Sequence, residues 1–552
     1  MNRFASRDRP RPPGAAGRLG PLEVLALAAW CGLAAGELEV AARFGHRILG
    51  PTNRLFFMTR HFVWLVPLID LALFLALGAG LALATRRGPR QAGWWGPRLT
   101  IALALLPALA LVGPRIYVEA WALVALGIGF RAAPLLERHP AAARRWLART
   151  APALLGLVLL QAAWTLGAEP IKRWRERSRP LPPAGSPDVL LIVLDTVRAD
   201  RLSLYGYPRP TTPHLQRLAA RGVRFDEARA PAPWTLASHA SFFTGRWPHE
   251  LDVRWLAPLR ADFPTLAEEL GARGYATAGF VANAGYCSYD TGLDRGFTHF
   301  DDYVFARPAT LRTARLVDAA VKSFTELTLP LDAGWFHRPR AAVGDWFFRD
   351  ERKSAERINR DFLDWLDRRE AGRPAFMFLN YLDAHTPYLL PPGARRRFGV
   401  APESRGRFHR TLMDWSLLDK QRLPRSYRKL AGDAYDDCVA YLDQQIGALF
   451  DELERRGALE RTLVIITSDH GEGLGEHDLF MHGESLYRPE TRVPLLILPP
   501  SRRPSGAVVR QPVSLRDLPA TILDLISLRA GSPFPGRSLA RHWADRPAGP
   551  PA

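Results

Sequence analysis

Residues 189–196 read VLLIVLDT, six apolar residues in a row closed by a carboxylate and a hydroxyl. A run with no polar face predicts a strand buried on both sides, as in a parallel sheet covered by helices. Four further runs share this character: ATAGFVA (276–282), AFMFLNYL (375–382), TLVIIT (462–467) and VPLLIL (493–498). Amphipathic helical stretches separate them, so the expected fold class is α/β, a mostly parallel sheet flanked by helices. Three of the runs end in polar residues of one chemical kind: Asp195; Asp383 and His385; Ser468, Asp469 and His470. The carboxyl ends of such strands form the ligand crevice of an open sheet, so these distant residues should converge there. Carboxylate and imidazole together suit a divalent cation. One Asp at a strand end is equally a helix N-cap; three strands ending this way point to a metal site.

The stretch APAPWTLASHASFFTGRWPHE (230–250) supplies a nucleophile. Thr235 follows a proline-rich turn and opens a short helix that Gly245 closes. A hydroxyl at a helix N-terminus sits in positive potential beside free N–H groups, which stabilises an alkoxide and a bound oxyanion. An unaided threonine is a poor nucleophile, but metal coordination lowers its pKa. The alternative is that Thr235 only caps the helix.

Residues 1–168 hold nearly all the long apolar runs and read as a transmembrane domain, with spans at Val24–Val40, Phe62–Ala84 and Ala151–Leu166. Leu99–Phe130 exceeds one span of about 30 Å of hydrocarbon, and Gly113, Pro114 and Arg115 divide it into a helical hairpin, giving five spans. With the N-terminus inside, the inner segments carry fourteen arginines and the outer loops five. The positive-inside rule then places everything after the fifth span outside the cytoplasm. No cleavable signal peptide is evident. Residues 169–187 read as a basic, then Pro-rich linker, 188–545 as the catalytic domain and 546–552 as a tail. Arg- and aromatic-rich stretches at 303–360 and 395–430 look like insertions.

The net charge is +19, from 74 Lys and Arg against 55 Asp and Glu, and only five of the bases are lysines. Residues 1–180 hold 24 of the bases but nine of the acids. The excess therefore flanks the membrane segments, where it sets orientation and meets anionic lipid, and is no nucleic-acid footprint. Three cysteines exclude a disulfide scaffold; Cys287 and Cys438 can form one bridge at most.

In family order, the blocks LIVLDTVRADRLSLYGY, TPHLQRLAARGVRF, WTLASHASFFTG, NYLDAHTPY, TSDHGEGLGEHDLFMHGESLYRPETRVPLLIL and VSLRDLPATILDL with PFPGRSL resemble the sulfatase branch of the alkaline phosphatase superfamily, from about Pro187 to about Trp543. The resemblance implies an alkaline-phosphatase-like fold in which Asp195, Asp469 and His470 are metal ligands and Thr235 is a ligand and the nucleophile. It further implies that His239 replaces the arginine that supports the nucleophile, and that His385 and His482 hold the substrate's anionic oxygens or a second metal. His477 and Arg198 are candidates for the surrounding shell. Two features depart from sulfatases. Their cysteine or serine, converted to formylglycine, is here Thr235, which cannot be converted, and residue 196 is Thr where many have a second aspartate.

A threonine nucleophile with imidazole ligands is more similar to the lipoteichoic-acid synthases and lipid A phosphoethanolamine transferases, which also carry about five N-terminal spans. The expected protein is thus a multi-pass enzyme of a bacterial-type inner or plasma membrane, with an extracytoplasmic catalytic domain. It acts on phosphate or sulfate esters of anionic envelope lipids or glycans, in the lipid bilayer and without nucleic acid. The expected cofactor is a divalent metal ion, zinc or manganese before calcium or magnesium. The rival readings are a sulfuric ester hydrolase and a non-catalytic envelope binding protein.

Overall fold

A computed structural model of the chain describes residues 20–49, 59–87, 89–112, 116–255, 257–303, 310–320, 352–399, 412, 415, 419–422, 425–500 and 506–543. They form two compact units: residues 20–168 with 310–320, and 169–303 with 352–543.

The first unit is helical: α1 (Pro21–Leu49), α2 (Phe62–Arg87), α3 (Pro89–Val112), α4 (Val118–Arg138) and α5 (Pro140–Arg177), the last running on into the second unit. All five are long and apolar enough to cross a membrane. The expected hairpin within 99–130 is two helices, and its dividing residues 113–115 lie outside the described residues. Small residues let α1 and α2 approach closely: a Cβ on Gly36 would sit 2.3 Å from the Pro67 Cα, and one on Gly32 2.8 Å from the Asp70 carbonyl oxygen. Arg98 and Glu137 tie α3 to α4 through a 2.7 Å ion pair. Residues 310–320, expected as part of an insertion, join these helices, with the Arg315 N–H donating to Glu39 Oε1 at 3.1 Å. Of the expected insertions, residues 304–309, 321–351, 400–411, 413–414, 416–418 and 423–424 lie outside the described residues, as does the tail 546–552.

Because α5 continues to Arg177, the basic first half of the expected linker is helical. Glu169 and Arg173 pair one turn apart along it, and Pro180, Pro182 and Pro183 come only after its end.

The second unit is built on a nine-stranded sheet. Its strands are β1 (Asp188–Leu194), β2 (Val223–Arg229), β3 (Ala276–Val281), β4 (His299–Asp301), β5 (Ala375–Tyr381), β6 (Thr462–Thr467), β9 (Arg492–Leu498), β10 (Ala507–Val509) and β11 (Val513–Ser514). A separate two-stranded sheet joins β7 (Gly473–Leu474) and β8 (Phe480–Met481). The order is β10-β2-β9-β6-β1-β5-β3-β4, with β11 also on β2. β1 pairs in parallel with β5 and β6, and β3 with β4 and β5. β9 runs antiparallel to both β6 and β2, so the sheet is mostly parallel, with one reversed strand. All five apolar runs are strands. β2, VRFDEAR, has no such run because only alternate parts of it are buried.

Alternation along β1 divides the core in two. Val189, Leu191 and Val193 pack on one face, with Phe242 and Phe243 of α7 (Thr235–Thr244). Leu190, Ile192 and Leu194 pack on the other, with Phe362 of α9 (Ala355–Arg368) and Tyr435 of α10 (Arg425–Arg455). The shorter helices α6 (Pro213–Ala219), α8 (Leu266–Ala272), α11 (Arg488–Thr491) and α12 (Leu518–Leu525) complete the layers. Cys287 and Cys438 belong to opposite core faces and are free thiols, not a bridge.

Candidate active site

β1 and β6 are neighbours in register, so the residues just beyond their carboxyl ends meet. Asp195, Asp469 and His470 are fully buried. Among the described residues they are the group of three carboxylate or imidazole side chains with ligand atoms within 4.8 Å of one another. His470 Nδ1 donates to the Gly471 carbonyl at 2.9 Å, which leaves the Nε2 lone pair for the cluster. That Nε2 lies 3.4 Å from Asp469 Oδ2 and 3.9 Å from Asp195 Oδ1. Neither of those buried carboxylate oxygens has a hydrogen-bond partner. Three converging lone-pair donors, two of them carboxylate oxygens without a hydrogen-bond partner, fit a divalent cation. Burial and the facing Asp469 charge push the Asp195 carboxyl up to about 7, and burial pushes Asp469 up to about 7 as well. Burial holds the His470 imidazole neutral, its pKa lowered to about 3.

The backbone around the cluster is constrained. Thr196 adopts φ +62°, a left-handed conformation that costs a β-branched residue roughly 1–3 kcal/mol. Its hydroxyl donates to the Asp195 carbonyl at 2.7 Å, and its carbonyl accepts from Tyr435 Oη at 2.9 Å. Thr196 therefore shapes the turn, and its side chain adds no ligand. Gly471 is required by a close approach, since a Cβ there would sit 1.9 Å from the Pro489 carbonyl oxygen.

Thr235 is the first residue of α7, and Trp234 is the cap residue. The threonine hydroxyl makes no capping bond. It lies 3.2 Å from His470 Nε2 and accepts from Asn283 Nδ2 at 3.4 Å. The capping role for Thr235 is thereby set aside. Asn283, two residues beyond β3, also donates to Asp195 Oδ2 at 2.8 Å, so one amide spans ligand and hydroxyl. Sequence reasoning missed it, although it is a polar residue just past a buried strand, the same signal that marked Asp195.

His239 lies one turn along α7 and is fully buried. Its Nδ1 donates to the Thr235 carbonyl at 2.8 Å, and its ring packs 4.7 Å from Phe242 and 5.8 Å from Phe378. Burial keeps it neutral, its pKa lowered to about 3. Nδ1 is also 3.5 Å from Asp469 Oδ2, so the ring braces nucleophile and ligand from beneath.

His482 and His385 complete a histidine group. The His482 ring is 4.5 Å from His470 and 4.9 Å from His385, centroid to centroid. Burial disfavours charge on His482, but buried Glu472, 3.2 Å from Nδ1, and the two aspartates beyond lift its pKa to about 9. Burial first, then His482 and Arg352, push His385 well below the usual imidazole range. One imidazole is thus cationic beside a neutral one. Glu472 was not singled out in the sequence, where it is one of several acids in a glycine-rich loop.

The other candidates lie apart. Asp383 accepts from the Ala355 N–H at 3.2 Å, serving the first turn of α9, the ordinary role of an aspartate at a strand end. Buried Arg198 pairs with Asp200 at 2.7 Å and Glu476 at 2.8 Å and donates to the Glu472 carbonyl at 3.0 Å, holding the loop that carries Glu472. His477 is exposed and stacks on Tyr487 at 4.0 Å, facing that ring instead of the cluster.

The family model for sulfatases matches residues 187–528. The chain belongs to the sulfatase family. It is thereby placed among ester hydrolases. An arylsulfatase of Clostridium perfringens (strain 13 / Type A) is 26% identical to this sulfatase-family chain over 391 residues, covering 64% of this chain and 77% of its own length. Solved structures similar to it include a phosphonate monoester hydrolase of Agrobacterium radiobacter (22% identity, TM-score 0.47, covering 65% of this chain and 77% of that one). Another is the soluble domain of lipooligosaccharide phosphoethanolamine transferase A from Neisseria meningitidis (19% identity, TM-score 0.43, 63% and 90%).

Proposed function

We propose that this sulfatase-family chain is a multi-pass membrane enzyme that uses Thr235 to transfer or hydrolyse phosphate esters of envelope lipids or glycans, with its catalytic unit outside the cytoplasm. The observation that carries this is the Thr235 hydroxyl beside His470 and two unpartnered carboxylate oxygens. Supporting the location are the five apolar helices and the arginine excess on the inner side of the expected topology.

A divalent cation held by Asp195, Asp469 and His470 would supply Lewis-acid charge that lowers the pKa of a nearby hydroxyl and offsets charge on the phosphoryl oxygens; the mixed imidazole and carboxylate donors favour zinc or manganese. The chain's own groups do the rest. Asn283 orients the Thr235 oxygen, and His239 fixes the helix turn beneath it. That oxygen gives up its proton to solvent water and attacks phosphorus while the bond to the leaving-group oxygen breaks, and the departing oxygen takes a proton from water. His482, kept cationic by Glu472, and His385 hold the non-bridging oxygens, so positioning and charge carry the step. The phosphothreonine then passes to an alcohol or to water. Threonine cannot supply the formylglycine hydrate of a sulfatase, which favours phosphate over sulfate. Purified protein is expected to turn over 4-nitrophenyl phosphate mono- or diesters well above 4-nitrophenyl sulfate; the reverse preference would make it a sulfate-ester hydrolase, and no turnover of either a binding protein.

A further inference from the structure

Asn380, the penultimate residue of β5, is fully buried between Val193 of β1 and Val281 of β3, its neighbours in register. The ladder between β3 and β5 ends at Val281. Past that point Asn380 holds the chain for two more residues: its carbonyl accepts from the Ala282 N–H at 3.1 Å, and its Oδ1 accepts from the Asn283 N–H at 3.0 Å. The side-chain carbonyl thus adds one rung beyond the last backbone pair. A backbone N–H can only donate, so Oδ1 must face Asn283 and Nδ2 must face away. Among the described residues that buried Nδ2 has no hydrogen-bond partner. Packing does not account for such a residue, because leucine would fill the same interior and leave no N–H group unpaired.

What Asn380 does supply is the place of Asn283. The amide of Asn283 is itself oriented by the Tyr286 N–H, which donates to Oδ1 at 3.0 Å. That leaves Nδ2 to serve Asp195 Oδ2 at 2.8 Å and Thr235 Oγ1 at 3.4 Å. We propose that Asn380 is a positioning residue for Asp195 and for the Thr235 hydroxyl, acting through Asn283; its part in turnover rests on Thr235 being the nucleophile. The Thr235 contact is already long, so a small slip of the Asn283 backbone breaks it. Three asparagine-mediated contacts then run in series from the middle of the sheet to the nucleophile: Oδ1 of Asn380 to the Asn283 N–H, and Asn283 Nδ2 to ligand and hydroxyl.

The test is a double-mutant cycle between Asn380→Leu and Asn283→Ala in the full-length chain in detergent. It is read on zinc-dependent turnover of 4-nitrophenyl phosphate and, separately, on zinc affinity by competition with a chromophoric chelator. Asn380→Leu should lower kcat and weaken zinc binding by about tenfold each, with KM unchanged. Asn380→Asp keeps an acceptor for the Asn283 N–H and should retain most of both. In the Asn283→Ala background, Asn380→Leu should add nothing to either loss. Losses that multiply in the double variant belong to a merely structural role and overturn the proposal, as do wild-type values for either quantity in Asn380→Leu. If the leucine variant does not fold, Asn380→Ser, whose hydroxyl ends short of Asn283, carries the same cycle with the same outcomes. The zinc arm separates this from the catalytic reading. A wild type that turns over no ester but gives a non-additive zinc cycle leaves the positioning of Asp195 standing while the catalytic reading falls; zinc losses that multiply overturn the proposal whatever the turnover.

Discussion

The Thr235 hydroxyl lies 3.2 Å from Nε2 of His470, across a gap of 235 residues in the chain. A hydroxyl that only capped its helix would face the free N–H groups of α7; this one faces a ligand atom. Replacing Thr235 with Ala should lower turnover of aryl phosphates by roughly a thousandfold or more, while Thr235→Ser keeps a measurable share. Bound metal, counted by elemental analysis, should be unchanged in both variants, since Asp195, Asp469 and His470 remain.

The metal site itself is tested by His470→Ala and by Asp469→Asn. The first removes a lone-pair donor and the second replaces an anionic donor with a neutral amide, and each should lose metal on dialysis along with activity. Chelation of the wild type should do the same, and added zinc or manganese should restore it. The cation also neutralises two buried carboxylates, so its removal should lower the thermal midpoint of the second unit.

The pH dependence of metal binding has a defined sign. Asp195 and Asp469 titrate near 7 in the metal-free fold, and His470 near 3. Below about 7 a cation must displace carboxyl protons, whereas the imidazole is already neutral. Apparent affinity should therefore rise from pH 5 to 7 and level off above. By the same linkage, carboxyls whose pKa is raised on folding stabilise the metal-free fold at low pH, and that contribution fades as pH climbs through about 7. Thermal unfolding with and without metal across this range should show the two curves diverging as pH rises.

Glu472 holds the charge on His482. In Glu472→Gln the opposing effect of burial is unbalanced, so the imidazole should lose its proton at lower pH. The alkaline limb of the kcat/KM profile should move toward acid. A profile with an unmoved limb would remove His482 from the oxygen-holding role.

Asn283 supplies donors to Asp195 and to Thr235. Asn283→Ala leaves a buried carboxylate oxygen without its donor, a loss of about 1–3 kcal/mol, and frees the hydroxyl to rotate. Activity should fall by roughly ten- to a hundredfold with KM little changed, measured on the same aryl phosphate.

What could be read from the sequence follows from burial. The five central strands were legible because both faces are covered, which forces apolar residues at every position. β2 was not, because its part-buried side chains admit Arg224, Asp226 and Glu227, and the reversal of β9 leaves no mark in a strand buried on both sides. Asp195, Asp469 and His470 stood out as polar residues at the ends of such strands. Asp383 gave the same signal and turned out to serve α9, since a carboxylate meets a helix N-terminus as readily as a cation. Asn283 acts through donors to Asp195 and Thr235, 88 and 48 residues away, Glu472 acts through one contact to His482 across a loop, and Thr196 acts through its backbone, which no local pattern announces. The helical start of the expected linker was hidden because its charges, read as a solvated tether, equally suit a helix surface.

The central claim is a covalent bond to Thr235, and intact and peptide mass analysis after rapid quenching with a phosphate diester tests it most directly. The account predicts one phosphoryl-type adduct, localised to the peptide containing Thr235 and absent from Thr235→Ala. Continued turnover with no adduct, or an adduct at another residue, would contradict it.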